Sequence, residues 1–360
     1  MVFLIHYGGG AKSSNFVLHT IGVSVQAGWT GVTFFFILSG FLISGILWDS
    51  RNEPHFWRNF YMRRTLRIFP VYYASLLLAL IAAAIAGNAR FALTHVYVYA
   101  LYLQNMPLPF NAGNLGSPLE MSHLWSLAVE EQFYLLWPFL LTQMKTLKRA
   151  KWLCIGIFVF SAVFRIVGWY LLPAGPDAAG VPSHRIFHSG YGFLLSRAGE
   201  LAAGAYLAMS FRDSVLWPRL RRVAPYLCAA GLAGFLIAAK YGGTLTYESA
   251  AGFLIGLPCI TICLAAILVM ALGDGVVNRL FRLRPLRWLG GISYGFYIFH
   301  VLFTPVFSWI VEKIAPDASR NVTFGLTFVV AGSLSVLLAW FSFRFFESRF
   351  LRLRTLFRTP

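Results

Sequence analysis

An apolar stretch from Leu124 to Leu141 is long enough to cross a bilayer, yet it carries two adjacent carboxylates, Glu130 and Glu131, and His123 precedes it. An ionisable side chain at the centre of a membrane costs about 2.5 to 3.5 kcal/mol on insertion scales. Such residues therefore face a protein interior or a polar pathway instead of lipid. The stretch predicts a membrane helix that lines an internal site.

The remainder of the chain is also apolar. Of its 360 residues, 58% are hydrophobic and only 12% are charged, which indicates an all-α, polytopic transmembrane helical bundle. A bilayer requires apolar runs of about 17 to 25 residues. Such runs lie near residues 29–48, 68–87, 124–142, 152–172, 191–210, 224–240, 251–272, 291–311 and 322–343. Because residues 1–10 look like the last turns of a further helix, we expect about ten spans with the first one truncated.

Positive charges are distributed unevenly among the loops. The chain has 30 lysines and arginines against 13 acidic residues, which gives a net charge of +17. Most of these cations follow the spans that end near residues 48, 142, 210, 272 and 343, and cytoplasmic loops carry such an excess. We therefore expect a multi-pass protein of the cytoplasmic membrane with a cytoplasmic C-terminus. Membrane lipid, and no nucleic acid, is the expected partner of this charge.

The organisation of the chain is simple. The apolar segment Phe91–Asn105 is short, and if it crossed the membrane every later loop would invert its charge, so we expect an interfacial or re-entrant piece. No linker separates a second folded domain. Residues 1–348 are expected to form a single membrane-embedded domain and residues 349–360 a short basic cytoplasmic tail. The four cysteines fall inside apolar runs, and no metal site is expected.

Five motifs occur in order along the chain. They are Phe35-Phe36-Ile-Leu-Ser39-Gly40, Arg63-Arg64-Thr-Leu-Arg67, His123-Leu-Trp125-Ser-Leu-Ala-Val-Glu130-Glu131-Gln132, Arg197-Ala-Gly-Glu200 and Ile292-Ser-Tyr294-Gly-Phe-Tyr-Ile-Phe-His300. Together they resemble the acyltransferase-3 family of membrane-embedded O-acyltransferases. The resemblance implies transfer of an acyl group, often acetyl, from cytoplasmic acyl-CoA to a hydroxyl of a surface glycan or lipid-linked sugar in a bacterium. The arginine that the family usually carries about three turns before the residue matching His6 would fall in the truncated part.

Acyl transfer to an alcohol needs a base that accepts the hydroxyl proton. His6 is the candidate base, because neutral imidazole accepts a proton near pH 7, and an interfacial histidine at a helix end is the alternative. His123, Ser126 and Glu130 follow at spacings of three and four, so they share a helical face. We expect catalytic roles for His6, His123 and Glu130, with Glu130 orienting a histidine or relaying a proton. Glu131 lies about 100 degrees away and is expected to meet a cation on a neighbouring helix.

The donor is expected to bind at the cytoplasmic start of the second span. Arg63, Arg64 and Arg67 are three and four residues apart, and guanidinium groups form paired bonds to phosphates such as those of coenzyme A. Ordinary positive-inside cations would give a similar pattern. Ser39 and Gly40 bring a hydroxyl and a bare backbone close to the expected acyl-thioester channel, although simple helix packing explains such small residues nearly as well.

Four further residues are expected to have structural roles or to line a substrate pathway. Arg197 and Glu200 stand three apart within a span and can pair on one face, so a structural bridge is as good an explanation as catalysis. Tyr294 and His300 are expected near the outward part of a late span, where they could contact the acceptor. Anchoring in an aromatic belt is the alternative for Tyr294.

The sequence therefore predicts an O-acyltransferase that uses acyl-CoA, in the first instance acetyl-CoA, and no metal. In this hypothesis acyl-CoA docks on the arginines and His6, assisted by Glu130, promotes transfer to a hydroxyl. A transporter or flippase that uses buried carboxylates and histidines is the alternative, although the inverted repeats that transporters often show are not evident. An inactive relative of the family is a third possibility.

Overall fold

The computed structural model describes residues 1–8, 25–106, 113–171 and 190–357, and within these ranges it contains helices and turns without any strand. The predicted all-α class is confirmed. Residues 9–10 of the predicted helix remnant and residues 358–360 of the predicted tail lie outside the described residues.

The helices are named in chain order. They are α1 (Val2–Gly8), α2 (Thr30–Ser50), α3 (Phe56–Ile85), α4 (Ala89–Ala100), α5 (Trp125–Thr142), α6 (Leu147–Leu171), α7 (Leu194–Phe211), α8 (Leu216–Gly242), α9 (Leu257–Ala271), α10 (Val276–Phe281), α11 (Arg284–Gly291), α12 (Ser293–Leu302), α13 (Thr304–Ile314), α14 (Arg320–Phe341) and α15 (Ser348–Leu353). Short 3-10 turns lie at Ala27–Trp29, Ser122–Leu124 and Arg354–Phe357, and π-helical turns lie at Ala251–Gly256 and Ser342–Glu347.

Six helical segments among the described residues are long and apolar enough to cross a bilayer. They are Ala27–Ser50, Phe56–Ile85, Leu147–Leu171, Leu216–Gly242, Ala251–Ala271 and Asn321–Phe357. The pair α12 and α13 makes a seventh if it is counted as one broken span. Each predicted span overlaps one of the observed helices, but the predicted count of nine complete spans is not reached by length and apolarity.

The two helices that fall short, α5 and α7, each carry two charged side chains. Glu130 and Glu131 on α5, and Arg197 and Glu200 on α7, lower the apolar character of their helices. Both helices are enclosed by protein, since most residues of each are buried. A helix surrounded by other helices does not need the apolarity that lipid demands, so charged side chains are tolerated there.

The late span predicted as continuous over residues 291–311 is broken. α12 ends at Leu302 and α13 begins at Thr304, and the two helix axes differ by 63°. Pro305 lies in the first turn of α13. Proline has no N–H to donate to the preceding turn and its ring clashes with that turn, so the helix cannot continue straight.

The centre of the bundle is a close crossing of α2 and α7. A Cβ added at Gly40 would lie 2.0 Å from the carbonyl oxygen of Leu201, and one at Gly204 would lie 2.0 Å from the carbonyl oxygen of Ile37. Each helix thus presents a glycine to the backbone of the other, which allows the two axes to approach closely. Gly40 therefore packs α2 against α7, which is the helix-packing role given above as the alternative to lining a thioester channel.

The other helices surround this pair. α5 packs against α2 and α7, α6 packs along α7, and α8 packs against α9. α12 contacts α3 and α14, whereas α1 lies against α14 and the turn at Ala27–Trp29. The short α4 packs on α3, and it is too short to span a bilayer. Residues 348–357 continue as helical turns against α3, so the described part of the predicted tail is folded.

Candidate active site

Three helices bring polar side chains together at what we call the arginine end of the site: Ser39, Arg64, Arg67, Glu130 and Tyr134. The Ser39 hydroxyl on α2 donates a 2.5 Å hydrogen bond to Oε1 of Glu130 on α5. Arg64 on α3 places Nη2 3.5 Å from the same oxygen and its guanidinium carbon 3.8 Å from the centre of the Tyr134 ring. Glu130 is buried, and the ion pair with Arg64 compensates its charge.

The other two arginines of the motif remain available at this end. Arg67 lies one turn beyond Arg64, is exposed, and interacts electrostatically with Glu130 and Glu347. Neither Arg63 nor Arg67 is within ion-pair distance of a carboxylate in the part of the chain that the structure describes. Arginines without an internal partner can bind anionic groups of a ligand without first breaking a protein contact.

The two adjacent carboxylates of α5 differ from the prediction. We expected Glu131 to meet the cation, but the direct ion pair of Arg64 is with Glu130, and Glu131 interacts with Arg64 only at longer range. The Oε1 atom of Glu131 is buried without a hydrogen-bond partner. Arg64 approaches the face of α5 that also contacts Ser39. Glu130 lies on this face, as helical spacing predicted, and Glu131 does not.

Tyr294 lies at the arginine end, whereas His300, with which it was predicted to share the outward part of the span, lies at the other end. Its hydroxyl donates a 2.7 Å hydrogen bond to the carbonyl oxygen of Ile68, one turn after Arg64 on α3. Six residues separate Tyr294 from His300, or about 9 Å along α12. The two residues belong to one sequence motif, but the rise of the helix between them puts them at different depths in the bundle.

Three imidazoles meet at the opposite end of the site, which we call the histidine end: His6, His123 and His300. The ring centres of His6 on α1 and His300 on α12 are 5.4 Å apart, and those of His123 and His300 are 5.8 Å apart. His123 and His300 are buried, whereas His6 is exposed. Within the described ranges, no group of His, Cys, Asp and Glu side chains is arranged to hold a metal ion.

Glu130 contacts no histidine among the residues that the structure describes. Its hydrogen-bond and ion-pair partners are Ser39 and Arg64, and His123 lies seven residues earlier in the chain, about 10 Å away along the helix. The group beside His6 is His300. His6 and Glu130, which were predicted to act together, are therefore not in contact. The face of α5 that carries His123 and Glu130 extends from the histidine end to the arginine end, and these two residues lie at opposite ends of it.

Tyr297 lies between the two ends. Its hydroxyl contacts the hydroxyl of Ser126 and donates a 2.8 Å hydrogen bond to the carbonyl oxygen of His123. Its ring stacks against Phe35 with centres 6.2 Å apart and lies beside His300. α5 and α12 thus face each other with polar groups at matching heights. Sequence reasoning missed Tyr297, although its position midway between Tyr294 and His300 at helical spacing was a usable signal.

A carboxylate that the sequence did not single out, Glu120, faces the histidine end from the loop before α5. It interacts electrostatically with His6. Partial burial raises the pKa of the Glu120 carboxyl. Hydrogen bonds from Ser122 and Asn114 lower the pKa by more than burial raises it, so the pKa lies below its ordinary value. Glu120 is therefore ionised at neutral pH. The electrostatic interaction with His6 joins residues more than a hundred positions apart, and no local pattern indicates it.

Arg197 and Glu200 form the structural bridge predicted as one of two explanations. Arg197 Nη1 lies 3.3 Å from Glu200 Oε1, and Nη2 donates to the Thr33 hydroxyl over 3.1 Å. Both charged side chains are buried. Arg165 from α6 joins α7 through a 2.6 Å hydrogen bond to the Ser196 carbonyl oxygen. The cluster ties α7 to α2 and α6 beside the site.

The fold and the site define an integral membrane protein that buries a two-ended polar site among apolar helices. A family model described as an acyltransferase domain matches residues 1–344. The chain belongs to this acyltransferase family, which confirms the family and the enzyme class predicted from the motifs.

Two relatives match most of the chain. The peptidoglycan O-acetyltransferase OatA of Listeria monocytogenes is 30% identical over 349 residues, which cover 90% of this chain and 51% of that protein. The putative peptidoglycan O-acetyltransferase YrhL of Bacillus subtilis is 28% identical over 323 residues, which cover 78% of this chain and 45% of that protein. The chain thus spans about half the length of these relatives. No solved structure matches it.

Proposed function

We propose that this protein transfers an acetyl group from cytoplasmic acetyl-CoA to a hydroxyl of a cell-wall glycan, or of its lipid-linked precursor, at the bacterial cytoplasmic membrane. The observation that carries the proposal is the two-ended site on one face of α5. Glu130 is paired with Arg64 at one end, and His123 belongs to the three-histidine cluster at the other. The family match favours acyl transfer over the transporter alternative.

The arginine end suits the donor. Arg63 and Arg67 have no ion-pair partner among the described residues, and coenzyme A carries a pyrophosphate and a 3'-phosphate that guanidinium groups bind well. Ser39 holds Glu130 in place, and Glu130 in turn holds Arg64. These contacts would orient the guanidinium towards the donor before binding, which reduces the entropy cost of association.

The histidine end suits the acceptor. An acceptor hydroxyl gives its proton to an imidazole, and its oxygen forms a bond to the thioester carbon. The carbon–sulfur bond then breaks, and the proton passes to the leaving sulfur, which gives free coenzyme A and an oxygen ester. His6, His123 and His300 are the groups that could accept the proton at neutral pH.

In this proposal the arginine end and the C-terminus face the cytoplasm and residues 1–348 form a single membrane domain, which the excess of cations in alternate loops supports. The names of the two relatives support peptidoglycan as the acceptor class. A glycan acceptor outside the membrane and a thioester inside it would then meet in the bundle from opposite sides.

The proposal is tested in sealed proteoliposomes that contain the purified protein. Labelled acetyl-CoA is supplied on one side and soluble peptidoglycan fragments on the other, and ester-linked label in the glycan is measured by mass spectrometry. We expect labelled glycan with the wild type and a strong loss with Arg64→Gln. The matched control is Arg287→Gln, which removes an exposed arginine on α11.

Two results would contradict the proposal. The first is glycan that crosses the membrane without label and without need for acetyl-CoA, which would indicate transport. The second is equal labelling by the wild type and by Arg64→Gln, which would remove the arginine end from donor binding.

A further inference from the structure

His300 differs from the other histidines of the site in how its ring is held. Nδ1 lies 2.7 Å from the carbonyl oxygen of Tyr297 and 3.0 Å from that of Phe296. Carbonyl oxygens only accept hydrogen bonds, so Nδ1 carries the proton. In the neutral ring this leaves a lone pair on Nε2, and that atom is buried without a hydrogen-bond partner. The backbone of α12 therefore fixes both the tautomer and the direction of the basic nitrogen.

His6 lacks this arrangement. Its side chain is exposed and makes no hydrogen bond to any described residue, so no described residue fixes its tautomer. Its ring meets that of His300 edge to face with centres 5.4 Å apart. A reacting hydroxyl between the two rings would find one imidazole that is held rigidly and one that is free to adjust to a ligand.

The ring of His300 lies beside the two other imidazoles of the histidine end. The titratable groups that face it are His6 on α1 and His123 in the turn before α5. No carboxylate forms an ion pair with it in the described ranges, and Glu120 acts on His6 instead. An imidazole that is not ion-paired can accept a proton from a bound hydroxyl.

We infer that His300, and not His6, is the general base, with Nε2 as the atom that accepts the acceptor's hydroxyl proton. This inference rests on the proposed acyl transfer. The proton moves from the acceptor oxygen to Nε2 while that oxygen forms its bond to the thioester carbon. As the carbon–sulfur bond breaks, the proton leaves Nε2 for the coenzyme A sulfur. His6 then contacts and positions the acceptor. His123 donates from Nε2 to the Ile298 carbonyl oxygen over 3.1 Å and holds α12 beside α5.

The test uses the full protein with labelled acetyl-CoA and peptidoglycan fragments. His300→Asn keeps an amide N–H near the position of Nδ1, so the bond to the α12 backbone is retained while the base is lost. The chain offers a matched control in the half-buried His95 on α4, whose Nδ1 makes the same kind of bond, 2.9 Å to the Phe91 carbonyl oxygen. Transfer is measured from pH 5 to 9, together with acetyl-CoA binding.

We expect His300→Asn to lower the rate of transfer about 10²- to 10⁴-fold, the usual contribution of a general base. Acetyl-CoA binding should be unchanged, and the variant should be slower than the wild type at every pH from 5 to 9, because the base is absent throughout. His95→Asn should behave as the wild type, and imidazole should restore part of the activity of His300→Ala. Equal rates and equal pH profiles for His300→Asn and the wild type would overturn the inference. A wild type that transfers nothing would instead refute the proposed function.

A second measurement needs no substitution, in case the variants do not fold. Diethyl pyrocarbonate acylates unprotonated imidazole nitrogens, and peptide mass spectrometry locates the label. Loss of transfer by the wild-type protein should follow labelling of His300, and peptidoglycan fragments should protect both. Full loss of transfer with label on His6 while His300 is unmodified would overturn the inference.

Discussion

The Ser39 hydroxyl on α2 and the Glu130 carboxylate on α5 are joined by a hydrogen bond of 2.5 Å inside the bundle. The same carboxylate oxygen lies 3.5 Å from Arg64 on α3. One acidic side chain therefore connects three helices at the arginine end. Its removal should affect both the stability of the fold and the binding of an anionic donor.

Glu130→Gln tests this connection. Glutamine can still accept from Ser39, but it leaves the partly buried charge of Arg64 without a partner. Breaking a buried ion pair costs about 3 to 5 kcal/mol, and we expect a value near the lower end because the pair is 3.5 Å apart. Unfolding in detergent should report this loss, whereas Glu131→Gln should cost less since Glu131 has no direct ion pair. A larger loss for Glu131→Gln would contradict the assignment.

Arg67→Gln should weaken donor binding without destabilising the fold. Arg67 is exposed and has no ion-pair partner among the described residues, so its loss removes only longer-range interactions with Glu130 and Glu347. A hydrogen bond to a charged group contributes about 1.5 to 3 kcal/mol, which corresponds to a rise in the Kd for acetyl-CoA of roughly 10- to 100-fold. Titration calorimetry measures this change. An unchanged Kd would mean that Arg67 belongs only to the topology signal.

Gly40→Ala should be strongly destabilising. Its Cβ would fall 2.0 Å from the Leu201 carbonyl oxygen, so α2 and α7 would have to separate, and overpacking usually costs about 1 to 3 kcal/mol. Gly156→Ala on α6 is the matched control, because nothing lies within 4 Å of the added Cβ. That change should stabilise the helix by about 0.5 to 1 kcal/mol. Similar unfolding temperatures for both variants would argue against the close crossing.

Glu200→Gln should destabilise the fold without affecting donor binding in the protein that remains folded. It leaves Arg197 and Arg165 buried without a carboxylate, a change that costs about 3 to 5 kcal/mol. The double variant Arg197→Met with Glu200→Met should recover much of the loss, because replacing both members of a buried pair with apolar groups is often neutral. Loss of acetyl-CoA binding in that stable double variant would instead indicate a role in the site.

The Lys151–Asp213 contact predicts an acid-dependent loss of stability. The hydrogen bond from Lys151, together with those from the Leu216 and Val215 backbone, lowers the pKa of Asp213 from 3.8 to about 2. A carboxyl whose pKa is lower in the folded state stabilises that state above its unfolded pKa. This contribution is therefore present above about pH 4 and is lost as the pH falls towards 2. The difference in unfolding temperature between the wild type and Asp213→Asn should shrink over that range, and a constant difference would contradict the assignment.

Much of the fold followed from local patterns. The apolar runs predicted helices at nearly all the observed positions, and the spacing of Ser126 and Glu130 predicted their common face correctly. Glu130 was identified as a site residue because a charged side chain within a membrane helix is costly and usually marks a functional site. The break of the late span could also have been anticipated, because Pro305 lies in the middle of it.

The partners of these residues were harder to predict. Glu130 was expected to serve His6 and instead binds Arg64, while His6 meets His300. Tyr294 was expected beside His300 and lies near Arg64. In each case the sequence predicted correctly that the residue lies on a helix. Its contact partner depends on the depth at which a second helix crosses that helix.

The sequence by itself determined that this chain is a helical membrane protein with buried charges and the motifs of an acyltransferase, because hydropathy and charge are properties of short stretches. Only the tertiary structure decided that the site has two ends, with Arg64 against Glu130 at one and His300 beside His6 at the other. Those contacts join residues that are tens to hundreds of positions apart. They depend on how glycine contacts such as Gly40 with Leu201 set the helix crossings, and no local pattern encodes that geometry.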